Sequence, residues 1–200
     1  DAMRLVALRG RAMASAAAEV KTGMSAVIGA DEGELLGMLA ALGLEPANFN
    51  GGGQIVVAGE LPALERLKET PPPGARVIPL QVAGAFHTRF MAPAVETLRE
   101  AAADVAVSDP TTTIWTNRDG STVGSGAAYL DLIVGQVASP VRWDLTMEAF
   151  AAAGITGIVE LAPAGALVGL AKRGLKGLPT VAVKTPDDLP AAQALIDGAA

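Results

Sequence analysis

The chain has 200 residues, half of them hydrophobic, with 15 lysines and arginines against 21 acidic residues for a net charge of -6, one histidine and no cysteine. The missing cysteines exclude a disulfide framework, a cysteine nucleophile and a zinc knuckle, and the acidic balance excludes general nucleic-acid binding, which depends on neutralising phosphates with basic side chains. No stretch has the unbroken apolar length of a membrane span and the start lacks a signal-peptide pattern, so one or two soluble, cytoplasmic domains are expected.

In chain order, Leu5, Leu8, Ala12 and Ala16 share one face of an opening helix. Gly23 to Gly29 reads as a strand. Asp31 with Glu34 is a capping-box start for a helix carrying Leu35, Leu39 and Leu42. Leu44 to Asn50 is weakly extended, Gln54 to Ala58 is a strand after the run Gly51 to Gly53, and Pro62 opens a helix with Leu64 and Leu67. Arg76 to Val82 alternates Ile78, Leu80 and Val82 at period two, as a half-buried strand does. This βαββαβ order predicts a ferredoxin-like subdomain over residues 23–83. Beyond the histidine, Val95, Leu98, Ala102 and Val105 recur at helical spacing; Thr111 to Thr116 is β-branched and reads as a strand. Leu130, Ile133, Val134 and Val137 mark a helix that must stop near Ser139-Pro140. A helix over Leu145 to Ala153, a strand over Ile155 to Leu161, a helix over Leu167 to Lys172, a strand over Thr180 to Val183 and a helix from Asp187-Asp188 complete the pattern.

The sole histidine, His87, falls in the turn between the Arg76 to Val82 run and the helix that follows, where a rigid scaffold can present a side chain to a cleft. On spacing alone it is either a structural, hydrogen-bonded histidine or a general base working near neutral pH.

Five motifs in fixed order surround it: Arg9-Gly10-x-x-Met13, Asn50-x-x-Gly53-Gln54-x-Val56, Gly84-Ala85-Phe86-His87-Thr88-x-x-Met91-x-Pro93, Gln136 ahead of Pro140-Val141-x-Trp143, and Pro163-x-Gly165-x-Leu167. Together they cover nearly the whole chain, and they resemble the malonyl-CoA:acyl carrier protein transacylases and the acyltransferase domains of polyketide synthases, most of all the actinobacterial members. The resemblance implies an α/β fold in which residues 1–22 and 84–200 form part of an α/β-hydrolase-like core and residues 23–83 the inserted subdomain. The family's Gly-His-Ser-x-Gly nucleophile elbow does not occur in this sequence, nor does its amino-terminal glutamine loop. The expectation is therefore a carboxy-terminal portion of a longer transacylase, inactive alone, with the serine upstream of Asp1.

The resemblance also implies the roles. The serine attacks malonyl-CoA, His87 takes its proton, and the malonyl group passes to the phosphopantetheine thiol of acyl carrier protein, without metal or cofactor. Gln136 lies in the last turn of a helix, where carbonyls lack intrahelical partners, and the family uses this carbonyl to orient the base. Arg9 matches the arginine that grips the free carboxylate, a task suited to a planar fork of donors; Arg11, two positions on, faces elsewhere. Met13, Asn50 and Gln54 match pocket positions. Phe86, beside the base, goes with malonyl rather than methylmalonyl selectivity. Two other readings stay open: a carrier-protein docking domain without chemistry, and a small ferredoxin-like ligand sensor, which would not require the flanking motifs.

Overall fold

The computed structural model describes residues 2–198. Its first element, helix α1 (Ala2–Glu19), buries Ala12 and Ala16 on the face that the periodicity indicates. Strand β1 (Thr22–Ile28) follows, and helix α2 (Glu32–Leu42) opens where the side chain of Asp31 accepts from the Glu34 amide. That helix closes at Gly43, whose φ of 70° is a left-handed conformation that glycine adopts without steric cost. Strands β2 (Glu45–Phe49) and β3 (Gln54–Glu60) form a hairpin, helix α3 (Leu61–Glu69) carries Pro62 in its first turn, and β4 (Arg76–Pro79) returns beside β1.

These strands lie in the order β4-β1-β3-β2, antiparallel throughout, and a two-residue strand β5 (Val141–Arg142) extends the sheet by pairing parallel to β2. One face holds Val27, Phe49, Ile55 and Val57 against Leu35, Leu39, Leu64 and Leu67 of α2 and α3. The opposite face, with Met24, Val56 and Ala58, packs on Ala85 and Phe86, so the histidine turn lies under the sheet. Helix α4 (Ala92–Ala102) and helix α5 (Gly126–Gly135) join α1 in a second core built on Ala12, Ala16, Met91, Leu98 and Val134. Helix α6 (Trp143–Ala152), strand β6 (Ile158–Leu161), helix α7 (Ala166–Gly174), strand β7 (Thr180–Val183) and helix α8 (Leu189–Ile196) complete the chain, with β6 and β7 paired in parallel. Among the described residues no helix is long and apolar enough to cross a membrane.

Several expectations change. Thr111 to Thr116 forms no strand; the segment makes a single bridge, Trp115 to Thr122, because no neighbouring strand lies alongside to complete a ladder. The alternating run of β4 ends at Pro79, and Ile78 and Val82 are exposed while Val77 packs on the α2/α3 core. Ile78 pairs with Ala26 at the edge of the sheet, so its side chain points to the less covered face. Helix α4 stops at Ala102, short of Val105, and β6 begins at Ile158 rather than Ile155.

Candidate active site

The turn that carries His87 is fixed from both sides. Gly84 sits so close to α1 that a Cβ there would lie 2.7 Å from the Ala17 Cβ, which makes glycine a requirement of the approach. Three residues on, His87 has φ of 63°, the single non-glycine residue in the left-handed region among those described. Such a conformation is costly for a residue with a Cβ and persists only when its surroundings hold it. Two consecutive carbonyls do so: the His87 amide donates to Val137 O at 3.1 Å, and ring Nδ1 lies 2.8 Å from Gln136 O. Both carbonyls belong to the short 3-10 turn, Gln136–Ala138, that ends α5.

A carbonyl only accepts, so Nδ1 carries the hydrogen and the Nε2 lone pair is the basic position of the ring. Burial pushes the His87 pKa below its ordinary 6.5; the Gln136 hydrogen bond opposes this, and the Arg9 guanidinium adds to it. The imidazole is thus neutral at physiological pH, as a proton acceptor must be.

His87 lines a cavity of about 400 Å³. Arg9 and Met13 reach it from α1, one turn apart, Phe86 stands beside the base, Asn48 and Asn50 enter from the β2 end, and Trp143, Leu167 and Leu170 close it from α6 and α7. Arg9 Nε is buried without a hydrogen-bond partner, and burial lowers the guanidinium pKa from its usual value. A half-desolvated, incompletely paired cation in a cavity is set to receive an anion.

Of the residues singled out from sequence, His87, Arg9, Met13, Phe86 and Asn50 share this cavity, and Gln136 stands behind the base. Gln54 does not line it. Its Oε1 accepts from Asn50 Nδ2 at 3.1 Å and from Arg173 Nη2 at 3.4 Å, so it borders the cavity through Asn50. Arg11 is exposed, and Arg89 is taken up by Glu45 and by Gly43 O at 3.2 Å. Sequence reasoning passed over Trp143 as a wall residue. Its signal was the Pro140-Val141-x-Trp143 motif: Arg142, clamped on Asp144 and stacked 4.5 Å over Phe49, fixes the strand end from which Trp143 starts α6.

Glu160 anchors the far wall. It is only 8% exposed, and its carboxylate accepts from the amides of Gly165 at 2.8 Å, Leu167 at 3.0 Å and Val168 at 2.9 Å, which closes the first turn of α7. Burial would raise its pKa, but the amide donors of Val168, Leu167, Gly165 and Ala166 prevail and hold it below the usual carboxylate range.

A neutral imidazole oriented by a carbonyl, with a cation across the same cleft, can accept a proton from a nucleophile and hold an anionic group beside it; this is the equipment of an acyl-transfer or hydrolytic site for anionic acyl groups. Comparison with known proteins narrows that class. No protein-family model matches the chain. The malonyl CoA-acyl carrier protein transacylase of Mycobacterium tuberculosis is 55% identical over 189 residues, which is 94% of this chain and 63% of that protein. Its crystal structure superposes with a TM-score of 0.89, covering 94% of this chain and 62% of the other. The corresponding transacylase of Mycolicibacterium smegmatis is 51% identical over 193 residues, 94% of this chain and 67% of that protein. A solved structure described as a type II polyketide synthase acyl carrier protein in complex with its malonyl-transacylase is 32% identical, with a TM-score of 0.88 over 96% of this chain and 64% of that one. The chain belongs to the malonyl CoA-acyl carrier protein transacylase family. It spans about 63% of the length of the Mycobacterium tuberculosis relative.

Proposed function

We propose that the whole protein of which these residues form part transfers a malonyl group from malonyl-CoA to the phosphopantetheine thiol of an acyl carrier protein, for fatty acid or polyketide synthesis. The observation that carries this is the meeting of His87 and Arg9 in one cavity, with the His87 ring held on the Gln136 carbonyl. The nucleophile in this reading is a serine on a Gly-His-Ser-x-Gly elbow, a motif that these 200 residues do not contain. Nε2 of His87 accepts the serine proton as the oxygen attacks the thioester carbon; the carbon-sulfur bond breaks, and the imidazolium returns the proton to the departing coenzyme A thiolate. In the second half-reaction the carrier thiol gives its proton to His87 and attacks the malonyl ester, and the serine oxygen leaves reprotonated. The two steps balance with proton transfers alone, so no metal or cofactor enters the proposal.

Arg9 holds the free carboxylate of malonate, Met13 and Phe86 wall the acyl group, and Gln54 supports that wall through Asn50. The partners are a coenzyme A thioester and an acyl carrier protein, neither nucleic acid nor membrane, and the setting is cytoplasmic. We also infer the division into an α/β-hydrolase-like core, residues 1–22 and 84–200, and a ferredoxin-like subdomain, residues 23–83. The β4-β1-β3-β2 order with two helices on one face supports the second part; residues 1, 199 and 200 lie outside the described residues. The direct test is thiol release from malonyl-CoA by the whole protein with acyl carrier protein as acceptor. Malonylated carrier protein is the expected product, and its absence under conditions where the Mycobacterium tuberculosis relative is active would contradict the proposal.

A further inference from the structure

The residue before Phe86 and His87 is Ala85, fully buried, and both of its backbone polar groups are taken by threonine hydroxyls. Its amide donates to Thr22 Oγ1 at 3.0 Å, and its carbonyl accepts from Thr88 Oγ1 at 2.6 Å. Thr22 and Thr88 are themselves 7% and 1% exposed, so neither hydroxyl has water as an easy substitute. The two come from opposite sides: Thr22 opens β1, while Thr88 is the residue after the base. Between Ala85 and Thr88 lie Phe86, which lines the cavity, and His87, in its left-handed backbone conformation.

The Phe86 amide donates back to Gly84 O at 3.1 Å, and the His87 amide leaves the turn for Val137 O. What closes the loop over residues 85–88 is the Thr88 hydroxyl on the Ala85 carbonyl, and what ties the loop to the sheet is the Thr22 hydroxyl on the Ala85 amide. Removing either leaves a buried backbone group without a partner, and the chain can satisfy it only by rotating the Ala85 peptide, which moves the two residues that follow.

We propose that Thr22 and Thr88 are positioning residues: their hydroxyls clamp the Ala85 peptide from its two ends and thereby fix His87 against the Gln136 carbonyl, coupling the geometry of the base to the first strand of the sheet. The proposal rests on the assignment of His87 as the base, and its test separates the two. His87 is the sole histidine of these 200 residues, and in the whole protein, whose elbow adds another, its ring resonance is assigned by its loss in His87→Gln and followed by NMR titration. The charged group that acts on it is Arg9, which every variant below leaves in place. Thr88→Val keeps the shape and deletes the hydroxyl; Thr88→Ser keeps the hydroxyl; Thr22→Val and Thr22→Ser do the same at the amide end.

With the clamp lost, the ring gains water. Burial is the main cause of its lowered pKa, so the titration midpoint should rise toward 6.5 in both valine variants and stay put in both serine variants. In the whole protein, kcat for malonyl transfer should fall on the order of 10- to 100-fold in the valine variants with KM little changed, and recover with serine. Should Thr88→Val fail to fold, Thr22→Val decides. A shifted midpoint with an unaltered transfer rate would support the clamp and remove His87 from the chemistry. Folded valine variants with lowered melting temperatures and an unmoved His87 midpoint would reduce both hydroxyls to packing and overturn the proposal.

Discussion

His87 Nδ1 and the Gln136 carbonyl oxygen are 2.8 Å apart, and this one contact settles which ring nitrogen can act as a base. A carbonyl cannot donate, so the hydrogen stays on Nδ1 and Nε2 keeps its lone pair. No acidic side chain is needed for this orientation. The electrostatic setting follows: burial first, then Arg9, hold the ring neutral, with the Gln136 bond working the other way.

The pH dependence of the chain follows from that direction. The folded pKa of His87 is lowered, so between it and 6.5 the unfolded chain binds more protons than the folded one. The contribution of His87 to stability is complete above about pH 6.5 and is lost as pH falls through the folded value. NMR titration of the single histidine should give a midpoint below 6.5, and Arg9→Gln should raise it by removing a neighbouring positive charge. A midpoint above 6.5 would mean that the hydrogen bond outweighs burial.

Arg9 is expected to select the acyl group. Arg9→Ala should impair malonyl transfer far more than acetyl transfer, because only malonyl carries a second carboxylate. Loss of a bidentate charge pair in a partly desolvated pocket costs roughly 2 to 5 kcal/mol of transition-state binding. Arg9→Lys should recover little, since an ammonium lacks the planar fork. Comparison of kcat/KM for the two thioesters checks this; equal losses would make Arg9 a structural residue. Arg89, held by Glu45 and Gly43, is not free to replace it.

Much of this was legible in the chain itself. Asp31 and Pro62 mark helix starts through local chemistry, and a single histidine between a strand-like run and a helix draws the eye to the turn that lines the cavity. Gln136 was legible only through family resemblance, because it acts through its backbone carbonyl and any side chain would serve there. Trp143, Leu170 and Asn48 meet at the cavity from α6, α7 and β2, a long-range convergence that local periodicity does not encode. Thr111 to Thr116 misled for the complementary reason: β-branched residues favour strands only where a partner strand is present.

Glu160 should govern stability at low pH. Its folded pKa is lowered by amide donors, so the stabilisation is present above the unfolded value of 4.5 and is lost as pH falls through the folded one. Glu160→Ala, which strands the amides of Gly165, Leu167 and Val168, should destabilise by about 2 kcal/mol near neutral pH and flatten the acid limb of the unfolding curve. Denaturant unfolding at pH 7 and pH 4 reads both effects, and a variant as stable as the parent at pH 7 would remove Glu160 from this role.

Phe86 should set how branched an acyl group the cavity admits. Its ring lines the space beside His87 and also packs in both adjoining cores, so Phe86→Ser has two expected effects. It should lower the melting temperature, and it should shift the malonyl to methylmalonyl ratio of kcat/KM toward methylmalonyl by about 10- to 200-fold, the worth of one methyl fitted or excluded. A lower melting temperature with an unchanged ratio would leave Phe86 as packing alone.

The central claim is that His87 moves the proton in acyl transfer, and single-turnover malonylation in the whole protein tests it most directly. His87→Ala should retain malonyl-CoA binding, because Arg9 is untouched, while the rate of malonylation falls on the order of 10²- to 10⁴-fold and loses its acid limb below pH 6.5. A His87→Ala protein that is malonylated at the parent rate would contradict the account.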